Sequence, residues 1–234
     1  MLRIATALSL VGAALATTPS LAAERGYSVI GFDKIKVEGP FTVIVVTGRS
    51  GSARASGSSA ALERIAVSVQ SGTLVIKPYK SGWGGWPGEE PGPVTVRVTT
   101  PNLVSAALTG SGQLRINKVR GSRLGLFLAG SGQLNVDAVT IDRLTLVQSG
   151  SSQMTVSGTS LLADVSMSGS GSLRTDALSV GDLKLVARSS GSAVIAARRS
   201  AKVDASGSGS ITVTGNPACS GTNVGAGSVV CGAR

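Results

Sequence analysis

The chain has 234 residues, a formal charge of +10, two cysteines and no histidine. That length suits one domain with a sizeable core. The basic balance favours anionic partners through long-range attraction but defines no site. Without histidine, histidine-dependent acid–base or triad chemistry is excluded in its usual form, and the many serines have no obvious activating base.

Met1-Leu2-Arg3 opens with a positive charge, and Ile4 to Ala16 is apolar apart from Thr6, Ser9 and Gly12. Ser20-Leu21-Ala22 then places small residues where a signal peptidase reads. The apolar run is shorter than the roughly 20 residues a membrane span needs, so residues 1–22 read as a cleaved secretory signal. A retained N-terminal anchor is the alternative. Loss of Arg3 takes the formal charge from +10 to +9. The remaining stretch, 23–234, is expected to form a single domain in the periplasm, on the cell surface or outside the cell.

From Glu24 to Pro101 the apolar residues alternate, as in Phe41, Val43 and Val45 or Val94, Val96 and Val98. Period-two runs broken by Gly, Pro and Ser predict half-buried strands joined by turns. A short helix is expected only near Ala60 to Arg64. Residues 81–92 are rich in Gly and Pro and predict a loop. It carries both tryptophans, Trp83 and Trp86. Paired tryptophans there suit stacking on a sugar ring or insertion at a membrane interface; folding back over the protein's own flank is the alternative.

Over residues 104–230 one phrase returns. It reads Gly110-Ser111-Gly112-Gln113-Leu114 and Gly130-Ser131-Gly132-Gln133-Leu134, with weaker copies closing at Met154, Leu173, Ala193 and Ile211. The spacing is 18 to 20 residues. A fixed period of this size is the signature of a solenoid, each repeat one coil that buries its face by stacking. Each coil is read as two short strands around a Gly-Ser corner, for example Leu124, Leu126 and Leu128, then Leu134 and Val136. These columns predict aliphatic ladders inside an all-β, parallel β-helix, with coils about 4.8 Å apart. Glycine reaches positive φ at little cost, and stacked corner serines are placed to bond one another. The copy at Gly225-Ala226-Gly227-Ser228-Val229 is out of phase and reads as a capping coil. Cys219 and Cys231, an even and closely spaced pair in an exported chain, predict a disulfide pinning that cap.

Three features stand out as candidate sites. The outward column Ala107, Phe127, Val147, Ser166, Val186 and Asp204 is more apolar than a free surface, which marks Phe127, Val147 and Val186 as a contact stripe. Cover by residues 24–100 is the alternative. Asp137 and Asp176 fall in one outward column two coils apart, so their backbones should lie about 10 Å from each other. That is near the separation of an inverting glycosidase pair, but solvated surface acids are the plainer reading. The corners carry Ser and Gln where a calcium-binding β-roll has Asp. No catalytic, cofactor-binding or metal-ligating residue is assigned, and no cofactor is expected.

The opening Gly31-Phe32-Asp33-Lys34-Ile35-Lys36-Val37-Glu38-Gly39-Pro40-Phe41, the run Gly72-Thr73-Leu74-Val75-Ile76, and Pro101-Asn102-Leu103 before the first corner resemble the GIN-domain family of auto-transporter adhesin heads. The resemblance covers roughly residues 31–230. It implies a right-handed parallel β-helix exported to the bacterial envelope, and little chemistry. No ten-residue alternating strands with aromatic girdles follow the repeats, so transport to the surface would need another component. The function expected is a non-enzymatic adhesin-like or envelope-interaction module, with a polyanion, glycan or protein as partner and no specific nucleic acid. A self-associating envelope structural protein is one alternative, and a glycan-active β-helix enzyme is the other.

Overall fold

The computed structural model describes residues 23–79 and 92–233. Its elements, in chain order, are β1 (Ala23–Tyr27), β2 (Lys34–Glu38), β3 (Thr42–Thr47), β4 (Ser52–Gly57), α1 (Ser59–Glu63), β5 (Ile65–Gln70), β6 (Thr73–Pro78), β7 (Thr95–Thr100) and β8 (Ser105–Gly110). Whole-coil strands follow: β9 (Gln113–Gly130), β10 (Gln133–Gly150), β11 (Gln153–Gly169), β12 (Ser172–Ser189) and β13 (Ser192–Ser206). The chain finishes with β14 (Ser210–Thr214), β15 (Ala218–Val224) and β16 (Ser228–Ala233). The short helix α1 falls where the sequence predicted one, and the Ser58 hydroxyl caps it by accepting from the Ala61 N–H at 3.1 Å.

The architecture is an all-β parallel solenoid. β9 lies along β10 in parallel, β10 along β11, β11 along β12 and β12 along β13. Inward residues stack in register, as in Leu124 on Leu144 on Ala163 on Leu183, and all four are buried. Aliphatic ladders of this kind remove apolar area from water at about 25 cal/mol per Å².

Each coil differs from the two-strand grammar read from sequence. β9 to β13 each run from one Gly-Ser corner to the next, bending as they go. A third buried row, missed in the sequence, stacks Val119 on Val139, and Ile141 on Ser160 on Val180. The ladder slips at Val136/Val139, Thr155/Gly158 and Thr175/Ser179 just before that row.

The corners explain the repeating phrase. Gly130 has φ 106°, and a Cβ there would stand 2.7 Å from the Gly110 carbonyl oxygen of the coil behind it. A Cβ on Gly132 would stand 2.6 Å from the Gly112 carbonyl oxygen. At Gly130 and Gly132 a side chain would thus meet the coil behind, and serine stands at the matching places only at Ser189 and Ser152. The corner backbone bonds along the stack, with the Ser131 N–H donating to Gly110 O at 3.1 Å and the Ser151 N–H to Gly130 O at 2.9 Å. Two serine pairs meet as anticipated, Ser151 with Ser170 at 3.0 Å and Ser228 with Ser210 at 3.2 Å between hydroxyl oxygens.

Residues 24–79 and 92–100 do not cover the outward column. β2 lies between β6 and β8, and β3 between β7 and β9, so this part of the chain extends the stack at its N-terminal end. β5 closes one face antiparallel to β6; β4 closes the other antiparallel to β7, and β1 is added antiparallel to β4. At the opposite end every residue of β15 is exposed, and a Cys219–Cys231 disulfide ties β15 to β16.

Candidate functional site

Alternation along β8 to β15 points one residue of every pair outward. The column foreseen from sequence is present and in register: Ala107 lies opposite Phe127, Phe127 opposite Val147, Val147 opposite Ser166, Ser166 opposite Val186 and Val186 opposite Asp204. Lys36 extends it toward the N-terminal end, opposite Ala107. Phe127 is 40% exposed, and Val147 and Val186 are half-buried. The register thus brings Phe127 and Val147 side by side, while Ser166 separates Val147 from Val186.

That separation makes a groove of about 450 Å³. Its floor is β11, whose outward residues Asp164, Ser166 and Ser168 are short. One wall is Thr145 and Val147 of β10; the other is Lys184, Val186 and Arg188 of β12. Lys184 and Arg188 escaped the sequence reading because each is an isolated basic residue. The signal that would have found them is the 20-residue step from Asp164 to Lys184 and from Ser168 to Arg188.

Electrostatics on this face are uneven. Asp164 is held by Arg143, with Nη1 donating to Oδ2 at 3.1 Å. Asp204 accepts from the Thr222 hydroxyl at 3.1 Å. Lys184, Arg188 and Lys202 have no carboxylate partner among the described residues, and Lys184 lies directly opposite Lys202.

The two aspartates of the glycosidase alternative fare differently. Asp137 accepts from Arg115, with Nη2 donating to Oδ1 at 3.3 Å. Asp137 and Asp176 both sit where the ladder slips, so the straight column assumed from sequence is broken between them. Among the described residues no group of three or more His, Cys, Asp or Glu side chains is placed to hold a metal ion. No helix among them is long and apolar enough to cross a membrane. Trp83 and Trp86, and the signal read at 1–22, lie outside the described residues.

A stack of parallel coils with small-residue corners defines a parallel β-solenoid, here with Lys184 and Arg188 on a grooved outer face. The family described as putative auto-transporter adhesin, head GIN domain, matches residues 31–217, and the chain belongs to it. Among solved structures the chain is similar to a putative adhesin from Bacteroides fragilis NCTC 9343, at 22% identity and a TM-score of 0.78, covering 90% of this chain and 96% of that one. It is also similar to a putative lipid binding protein from Parabacteroides distasonis ATCC 8503, at 19% identity and TM-score 0.71, with 90% and 96% covered. A putative adhesin from Parabacteroides merdae ATCC 43184 follows at 17% identity and TM-score 0.64, again with 90% and 96% covered. At these identities the likeness carries the fold alone. Comparison with curated proteins gave no match.

Proposed function

We propose that this protein is an exported, non-enzymatic binding module of the bacterial envelope, engaging its partner through the outer face formed by β9 to β13. The observation that carries this reading is the stripe of Phe127, Val147 and Val186, left accessible beside the groove over β11. Apolar side chains held in register on a solvated flank are what an interaction surface presents, and solenoids use such extended flanks for binding. Family membership supports export and adhesion. Residues 1–22 would be removed on export, leaving one domain over 23–234.

The reading is tested by protease shaving of intact cells beside cells with the outer envelope opened, together with saturation binding of the purified protein to isolated envelopes. Saturable binding, with digestion in either cell preparation, is expected. An intracellular protein that ignores envelope material would overturn it. Protection until the envelope is opened would make the module periplasmic, with its partner inside the envelope.

A further inference from the structure

We infer that the groove over β11 binds an extended acidic glycan, with uronic-acid carboxylates bridging Lys184 and Arg188. This rests on the envelope-binding reading above and adds the chemistry of the ligand.

Shape comes from side-chain size. β10 and β12 stand two strand spacings apart, about 10 Å between backbones, and Ser166 and Ser168 leave the space between them open. That width admits a single chain of sugar rings. Lys184 and Arg188 are four residues apart on one strand, so their backbones stand about 13 Å from each other along the groove. Arg188 also borders a second depression of about 510 Å³ at the corner, where Ser170, Ser190 and Ser206 present hydroxyls. Arg188 lines both depressions, so a chain laid along the groove would follow a track that reaches the corner serines.

Charge selects an anion. Lys184 lies between Asp164 on one side of the ladder and Lys202 on the other; Asp164 is paired with Arg143, which leaves both lysines without a carboxylate partner among the described residues. Like charges directly opposite on adjacent strands are unfavourable, and a bound carboxylate relieves that repulsion. Between the cations, Val147 and Val186 offer apolar surface to the C–H faces of sugar rings, and Phe127 lies next to Val147. Thr145, Ser166 and Ser168 supply hydroxyls for those of the sugar. A free phosphate would engage one cation and leave the apolar walls and the track without a role.

The test measures binding of the full chain to polygalacturonate, to neutral dextran and to anionic phosphatidylglycerol vesicles. Two groove variants, Lys184→Glu/Arg188→Glu and Ser166→Phe, are compared with Lys118→Glu/Arg120→Glu, which makes the same charge change on exposed residues elsewhere. Polygalacturonate should bind, dextran should not, and both groove variants should lose about tenfold or more in affinity, a change of roughly 1.4 kcal/mol, with the control unchanged. If Ser166→Phe does not fold, as judged by thermal unfolding, Ser166→Gln replaces it. Equal loss in the control, full binding by the filled groove, or binding to vesicles alone would overturn the proposal. If polygalacturonate is ignored while isolated envelopes still bind, the ligand class falls and the envelope-binding reading stands; if both fail, both fall.

Discussion

The Gln148 carboxamide Nε2 donates to the Ser152 carbonyl oxygen at 2.7 Å and to the Ser172 carbonyl oxygen at 3.1 Å, inside an otherwise aliphatic ladder. Gln148 stands in register with Leu128 and Met167 and is 2% exposed. Ser152 stands where neighbouring coils have Gly132 and Gly171. The two departures from the repeat therefore occur together, and each supplies the other with a hydrogen-bond partner.

That pairing leaves the Gln148 Oε1 buried without a partner. The Ser152 carbonyl already accepts from the Ser172 N–H at 2.9 Å, so it stays satisfied without the glutamine. Gln148→Leu should therefore raise stability by about 1 kcal/mol, within the cost of an orphaned buried acceptor. Urea unfolding checks this, and a loss of stability would mean that the polar pair stabilises the coil on balance.

At the corners, Gly150→Ala should destabilise by about 2–4 kcal/mol. It combines a positive-φ backbone, about 1–3 kcal/mol, with a Cβ driven against the Gly130 carbonyl oxygen. Ser111→Ala, at an exposed corner position, should fall within about 0.5 kcal/mol of the parent. Equal effects in thermal unfolding would contradict the stacking account.

The last coil buries little, and its disulfide closes a separation of 12 residues. A loop of that size is worth about 3 kcal/mol in the chain-entropy picture. Cys219→Ser/Cys231→Ser should speed amide exchange in β15 and β16 and leave β9 to β11 protected. Uniform loss of protection along the rod would show that the cap nucleates the whole stack.

Asp182 supplies a pH dependence. Its carboxyl is held below the ordinary value of 3.8, first by the Ser200 hydroxyl and then by Arg199, against an opposing desolvation effect. A depressed folded pKa gives stability that is present above the unfolded value and lost as pH falls through the folded one. Asp182→Asn should flatten the acid limb of the stability–pH curve without changing its slope above pH ~5. An unchanged acid limb would remove Asp182 from the account.

Much of this architecture is legible in the sequence because each corner repeats the same steric demand. Gly110, Gly130, Gly150 and Gly169 mark the coils directly, and Leu134, Val136, Leu144 and Leu146 keep a period of two on either side. The third row was hidden because bulges precede it, so Val139 and Ile141 lose their phase with Val136. Gln148 was not read as an inward residue, since a lone glutamine after Leu144 and Leu146 looks like a return to the surface. The insertion of β2 between β6 and β8 depends on pairing between distant segments, which local periodicity does not encode. The stripe was legible as a column; the groove was not, because it depends on the contrast between Ser166 and the larger residues one coil to either side.

The central claim is that the face of β9 to β13 engages the envelope, and Val147→Asp tests it most directly. Val147 is half-buried on the outer side, so the variant should fold with a melting temperature close to the parent. Its affinity for isolated envelopes should fall by about tenfold or more. Parent-like binding by a fully folded Val147→Asp protein would contradict the account and move the interface to another part of the molecule.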